Sequence, residues 1–173
     1  MTRIDLPSVT EYQRLQCQLF TEHVYETSEK LYKKRGAGKE EKIKADILNG
    51  KLAECMVFNF MESTGDKPTP PDFAIYKKKR KSFDADLVSN KEKIHVKSCL
   101  ADSPYPNSWL FQKTDPLIVE LPEDEILVLC VISEIDSYGY VCKLNEVTLG
   151  EPEVFQLRHT KAAIYERDFK TES

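Results

Sequence analysis

Apolar positions recur with a helical period at the start of the chain and with a period of two further on. From Val9 to Lys34 there is neither Pro nor Gly, and Tyr12, Leu15, Leu19 with Phe20, Val24 or Tyr25, and Leu31 fall at helical spacing. The RGAGK run (35–39) ends that helix. A second helix is predicted from about Glu40 to Glu62, crossing Gly50, and STGDKPTPPD (63–72) is a loop by composition. The period then shortens. FAIYKKKR (73–80), SFDADLVS (82–89) and KIHVKSC (93–99) predict three successive antiparallel strands, the last two joined by the polar SNKEK turn. After the ADSPYPNS loop (101–108) comes a short amphipathic segment, Trp109–Lys113, and then irregular or extended chain through DPLIVELPEDE. EILVLCVISEI (125–135) reads as the best buried strand. GYVCKLNEVT (139–148) pairs with it through a turn at Asp136–Gly139, and QLRHTKAAIYERDFK holds a final short helix. The layout predicts an α/β (α+β) fold with a mixed central sheet flanked by helices. One domain over 1–173 accounts for the length, with a core of about 40–135 and an N-terminal helical region at 8–36.

One carboxylate interrupts the pattern. In GKLAECMVFNFM, Glu54 shares a helical face with Ile43, Ile47, Gly50, Val57, Phe58 and Met61, while Leu48, Leu52, Met56 and Phe60 line the other side. Such a helix is buried on much of its circumference. Burying an unpaired carboxylate there costs on the order of several kcal/mol, so Glu54 needs a partner. Either it pairs with Lys51 or an arginine of the tail, or it points at a metal ion or proton donor across the helix–sheet interface.

The strands after this helix offer such a partner. Alternation puts Asp84, Asp86 and Val88 on one face and Phe83, Ala85 and Leu87 on the other. Lys93, His95 and Lys97 likewise share a face opposite Ile94 and Val96. If the two strands pair through SNKEK, the acids and the bases lie on one surface, and a helix packed over it brings Glu54 to them. Two carboxylates and a carbonyl suit a hard divalent ion such as Mg²⁺. That ion can polarise a phosphodiester and activate water, with a lysine ammonium steadying the developing charge. The plainer alternative is a solvent-facing sheet with ordinary charge pairs.

Glu54 on a helix, Asp86 on a strand and His95-Val96-Lys97 on the next strand resemble the PD-(D/E)XK nuclease superfamily, the restriction-endonuclease-like fold. The resemblance covers residues 43–99, about a third of the chain, and NSWLFQ and EILVLCVI are compatible with the later helix and strand of that fold. It implies a Mg²⁺- or Mn²⁺-dependent endonuclease acting on DNA. Asp86, His95, the Val96 carbonyl and Glu54 would hold the metal, and Lys97 would assist the attacking water. Asp84 is the substitute for Asp86, and Asp72, in a literal Pro71-Asp72, is the other. His95 departs from the usual Glu, Asp or Gln. A neutral imidazole adds no negative charge, weakens Mg²⁺ binding and tolerates Mn²⁺ better. A non-catalytic nucleic-acid-binding or assembly module on the same fold, and an RNA endonuclease, are the alternatives.

Composition narrows the partners. Charged residues leave a net −4, which disfavours a general nucleic-acid coat protein but not an enzyme with a local basic patch. Two basic runs qualify: Lys33, Lys34 and Arg35 in one, and Lys77, Lys78, Lys79, Arg80 and Lys81 in the other. The alternative for each is a solvated loop or edge strand. Gln112 is a further candidate for a base or phosphate contact. Trp109 and Phe111 either stack on bases or, with Leu110, anchor the segment in the core. The five cysteines are scattered without a CxxC pair, which fits a reduced, cytoplasmic setting, that of a phage-infected host included. No apolar run is long enough to span a membrane. A homodimer would let two sites act on two strands of DNA, in restriction, repair or the life of a mobile element.

Overall fold

A computed structural model describes residues 1–34, 39–76, 84–120 and 122–169. The side chains of residues 30–34 lie outside that description, although the backbone there is helical.

Helix α1 runs Glu11–Lys34 and α2 runs Glu40–Ser63, both as predicted, but Tyr12, Leu15 and Leu19 of the apolar spacing in α1 are exposed and its buried face carries Cys17, Thr21 and Tyr25. The TEYQ run starts α1 with a reciprocal cap. The Gln13 amide donates to Thr10 Oγ1 at 3.1 Å, and the Thr10 amide donates to Gln13 Oε1 at 2.9 Å, so two otherwise orphaned N–H groups are satisfied. Glu40 and Glu41 open α2 where the helix dipole favours negative charge. Gly65, at φ 94°, turns the chain out after its last turn.

Five strands form a mixed sheet in the order β1 (Thr2–Asp5), β6 (Tyr138–Lys143), β5 (Ile126–Ile132), β3 (Glu92–Leu100), β2 (Leu87–Ser89). Only β3 and β5 are parallel; the other neighbours are antiparallel. A second, two-stranded sheet pairs β4 (Ser108–Gln112) with β7 (Lys161–Tyr165). Short helix α3 covers Pro116–Glu120. The protein is therefore mixed α and β, with one central sheet between two layers.

Each layer arises from strand alternation. Ile94 and Val96 of β3, with Val128, Cys130 and Ile132 of β5, pack against Ala53, Met56 and Val57 of α2. Leu127, Leu129 and Val131 leave β5 on the other face and pack with Trp109, Phe111, Leu117 and Ile164. β5 is covered on both sides, which is why its sequence is an unbroken apolar run. Helix α1 packs on α2 through Cys17, Leu52 and Cys55. The Cys17 and Cys55 sulfurs lie 3.7 Å apart, and all five cysteines are free thiols.

Several elements differ from the expectations set by the sequence. Residues 73–76 form no strand, and 77–80 lie outside the described residues. The strand expected over 82–89 is confined to Leu87–Ser89, so Asp84 and Asp86 precede it. Trp109–Gln112 belongs to strand β4, not to a helix, and Lys113 begins the turn after it: Trp109 and Phe111 are both 1 % exposed while Leu110 points outward at 39 %. The helix expected in the tail is β7 flanked by two 3-10 turns, Phe155–Leu157 and Glu166–Asp168, because Ala162, Ala163 and Ile164 complete the sheet with β4. The DPLIVE segment is helical rather than irregular, with Asp115 Oδ1 accepting the Leu117 amide proton at 3.2 Å. β1 has no counterpart among the elements predicted from the sequence. Among the described residues, no helix is long and apolar enough to cross a membrane.

Candidate functional site

Glu54 turns inward, with 12 % of its side chain exposed. Its partner is Lys51, one turn earlier on the same helix, whose Nζ donates to Glu54 Oε2 at 2.6 Å and to the Asp72 carbonyl at 2.9 Å. The Lys51 ammonium also stands over the rings of Phe20 (4.7 Å) and Phe73 (5.6 Å), so its charge is shared with two aromatic faces. The Lys51 alternative is thus the contact that forms. Burial pushes the Glu54 carboxyl up to about 7; Lys51 opposes the rise, and the charges of Asp86 and Asp72 add to it. Asp86 and Glu54 are therefore within electrostatic reach of one another.

Asp86 sits immediately before β2. Its backbone N–H donates to the Ile94 carbonyl at 2.9 Å, and its Oδ2 accepts the Val96 N–H at 2.7 Å. The carboxylate supplies the acceptor that the backbone of a longer β2 would have provided. β2 covers only residues 92–94 of β3, so beyond that point β3 has no strand on this edge among the described residues. Asp84, two residues before Asp86, is exposed. Asp72 is engaged locally: Oδ1 accepts the Ala74 amide at 2.8 Å and Oδ2 accepts the Tyr76 hydroxyl at 2.6 Å. The Tyr76 bond foremost, with the Ala74 bond, holds its carboxyl below the usual range.

His95 and Lys97 leave β3 on the face opposite α2. His95 is 8 % exposed, and its Nε2 lies 2.6 Å from Glu125 Oε2. Lys93 Nζ donates to the other Glu125 oxygen at 3.0 Å. Burial pushes the Glu125 carboxyl up, but Lys93 and His95 together outweigh it and leave it low. The Lys97 ammonium stands 5.3 Å from the centre of the Phe111 ring, with no carboxylate in ion-pair distance among the described residues. Helix α2 covers the Ile94 and Val96 face, not the His95 and Lys97 face, so Glu54 lies on the side of the sheet opposite the two basic side chains.

Trp109 and Phe111 are core residues and do not offer their faces to a nucleic-acid base. Gln112 ends β4, half-buried, opposite Lys161. Lys33 and Lys34 lie in the last turn of α1 with side chains outside the described residues, as are Arg35, Lys77, Lys78, Lys79, Arg80 and Lys81 altogether. Two participants were absent from the sequence-derived set of site residues. Lys51 was legible as a neighbour of Glu54 at helical spacing. Glu125 was not, because it reaches Lys93 and His95 only through the parallel register that sets Ile94 beside Ile126.

Among the described residues, no three His, Cys, Asp or Glu side chains are grouped closely enough to enclose a metal ion. The nearest donor set is sparse: Asp86, with one oxygen committed to Val96, and the buried Glu54. Glu54 is in turn committed to Lys51, so this pair makes no metal cage. No family model, no curated protein and no solved structure matches the chain.

Proposed function

We propose that this protein is a metal-dependent endonuclease of the PD-(D/E)XK type that hydrolyses phosphodiester bonds in DNA. The observation that carries the reading is the 2.7 Å bond from the Val96 N–H to Asp86. It fixes a carboxylate at the residue between His95 and Lys97, at a sheet edge that carries no further strand among the described residues, with Glu54 in electrostatic reach from the covering helix. Asp86, Glu54 and the Val96 carbonyl would hold Mg²⁺ or Mn²⁺, while His95 leaves the other face of β3 with its Nε2 engaged by Glu125. When bound, that ion would polarise the phosphodiester and make water a better nucleophile at neutral pH. Lys97, an ammonium without a carboxylate partner among the described residues, has donors free to hold water or to steady charge on a phosphate. Glu54, with a carboxyl near 7, can accept or return a proton at neutral pH. The basic runs at 33–35 and 77–81 would contact the DNA backbone, and a homodimer would supply a site for each strand.

Supercoiled plasmid incubated with the purified chain and Mn²⁺ or Mg²⁺ tests this. Cleavage is expected, blocked by chelator and reduced about 10²-fold or more in Lys97→Ala and Asp86→Asn, with circular dichroism unchanged. Single-stranded RNA in a parallel reaction separates the RNA endonuclease. A second reading, a non-catalytic binding module, is favoured by the engagement of His95 with Glu125. It holds if no nucleic acid is cut and calorimetry detects no Mn²⁺ binding.

A further inference from the structure

Two thiols meet between the long helices. Cys17 of α1 and Cys55 of α2 are 0 % and 1 % exposed, and their sulfurs lie 3.7 Å apart. Neighbouring contacts hold them in register. Gln13 is one turn before Cys17, and Asn59 is one turn after Cys55. Gln13 Nε2 donates to Asn59 Oδ1 at 2.7 Å, and Asn59 Nδ2 donates to Gln13 Oε1 at 3.0 Å. On the other side, Lys44 of α2 reaches Glu22 of α1 at 2.6 Å. The seam is tied on both sides of the sulfur pair, and this antiparallel register keeps the two thiols facing each other. A disulfide has its sulfurs about 2.0 Å apart, so the pair must close by about 1.7 Å. The other three thiols are placed differently. Cys130 and Cys142 are buried in the sheet against the Val128 and Leu127 carbonyls, and Cys99 is half-buried on β3.

We propose that Cys17 and Cys55 close into a reversible disulfide when the protein meets hydrogen peroxide, forming a redox-sensitive brace between α1 and α2. One thiol sulfur attacks the O–O bond and becomes a sulfenic acid as water leaves. The second sulfur displaces that hydroxyl, so the S–S bond forms and a second water leaves. Two thiols thus give up two electrons and two protons, and the peroxide is reduced to two waters. The oxidant must be small, because neither sulfur is open to solvent. Disulfides inside the cell are characteristically transient and redox-sensing, which suits a pair that is thiol in the resting fold. The cross-link makes residues 17–55 a closed loop and so restrains the unfolded chain. It also fixes α1 against the turns of α2 that carry Lys51 and Glu54. The proposal is independent of the endonuclease reading.

The test uses the full chain, reduced, exposed to graded hydrogen peroxide, quenched with catalase, then unfolded in urea and alkylated with iodoacetamide. Accessibility alone would select Cys99 first, whereas contact selects the buried pair. Peptide mapping by mass spectrometry is expected to find Cys17 joined to Cys55 at peroxide levels that leave Cys99, Cys130 and Cys142 alkylated. Dithiothreitol in urea restores both thiols, as it does not for sulfinic or sulfonic acids. The oxidised protein is expected to unfold at a urea concentration about 1 M or more above that of the reduced protein. Cys17→Ala, which cannot form the bond, is expected to show no such rise, and the wild-type mapping stands whether or not that variant folds. Peroxide that oxidises Cys99 while Cys17 and Cys55 stay thiols, that drives either to sulfinic acid, or that joins either to another cysteine overturns the proposal. So does a cross-link that leaves the urea midpoint unchanged or lowers it.

Discussion

A buried glutamate next to a lysine would ordinarily be drawn below the usual carboxyl range, yet Glu54 moves the other way. Desolvation is the largest influence, Lys51 offsets part of it, and Asp86 and Asp72 reinforce it, so the carboxyl reaches about 7 against 4.5 for the free side chain. The folded state thus holds this proton more tightly than the unfolded chain does. Stability from that preference is fully present below the unfolded value and is lost as pH rises from about 4.5 through about 7. The loss is on the order of 3 kcal/mol, and no large solvent discount applies to a side chain 12 % exposed. Denaturant unfolding of the metal-free protein at a series of pH values should show this decline in wild type and a flatter profile in Glu54→Gln, which cannot ionise. Parallel profiles would mean that Glu54 titrates as if in water. The Lys51–Glu54 contact itself was visible in the sequence as a three-residue spacing on a helix; the opposing effect of Asp86 was not, because it requires β2 to stop short at Leu87.

At the scale of elements, the β2–β3 hairpin turns through Asn90 (φ 49°) and Lys91 (φ 72°), two consecutive left-handed residues. That geometry matches the right-handed twist of the strands it joins and favours Asn followed by Gly. Asn90 suits it, whereas Lys91 carries a Cβ where glycine is relieved of strain. Lys91→Gly is expected to raise stability by about 1 kcal/mol, measured by urea unfolding, with a loss indicating that Lys91 does not adopt this conformation. Long elements were readable from spacing alone: α1, α2, β3 and β5 each repeat one pattern for seven residues or more. The short ones were not. SWLFQ alternates for five residues, too few to tell a strand from one helical face, and KAAIY carries two alanines that favour helix until β4 pairs with them. Strand β1 is four residues at a sheet edge, held by pairing with β6 rather than by a pattern of its own. For the site, alternation correctly separated His95 and Lys97 from Ile94 and Val96, but it could not say which of the two faces α2 would cover.

Across the whole molecule the two layers share one strand. β5 sends Val128, Cys130 and Ile132 toward α2 and Leu127, Leu129 and Val131 toward β4 and β7, so neither layer can lose its packing without exposing the back of the other. The single tryptophan, Trp109, lies in the second layer, where its Nε1 donates to the Cys130 carbonyl at 2.9 Å, while the long helices α1 and α2 lie in the first. Tryptophan fluorescence and helical ellipticity therefore report opposite sides of the sheet. If β5 couples them, both signals change at the same denaturant concentration. Ile94→Ala, facing α2, and Leu129→Ala, facing Trp109, should each cost about 2–5 kcal/mol and shift both signals together. Because the two side chains belong to separate clusters on opposite faces, the double variant should lose their sum to within about 0.5 kcal/mol. A Leu129→Ala variant whose fluorescence transition moves while its ellipticity stays in place would instead make the helical layer an independently folding unit, and the site would then lie at a boundary between two units rather than at the edge of one sheet.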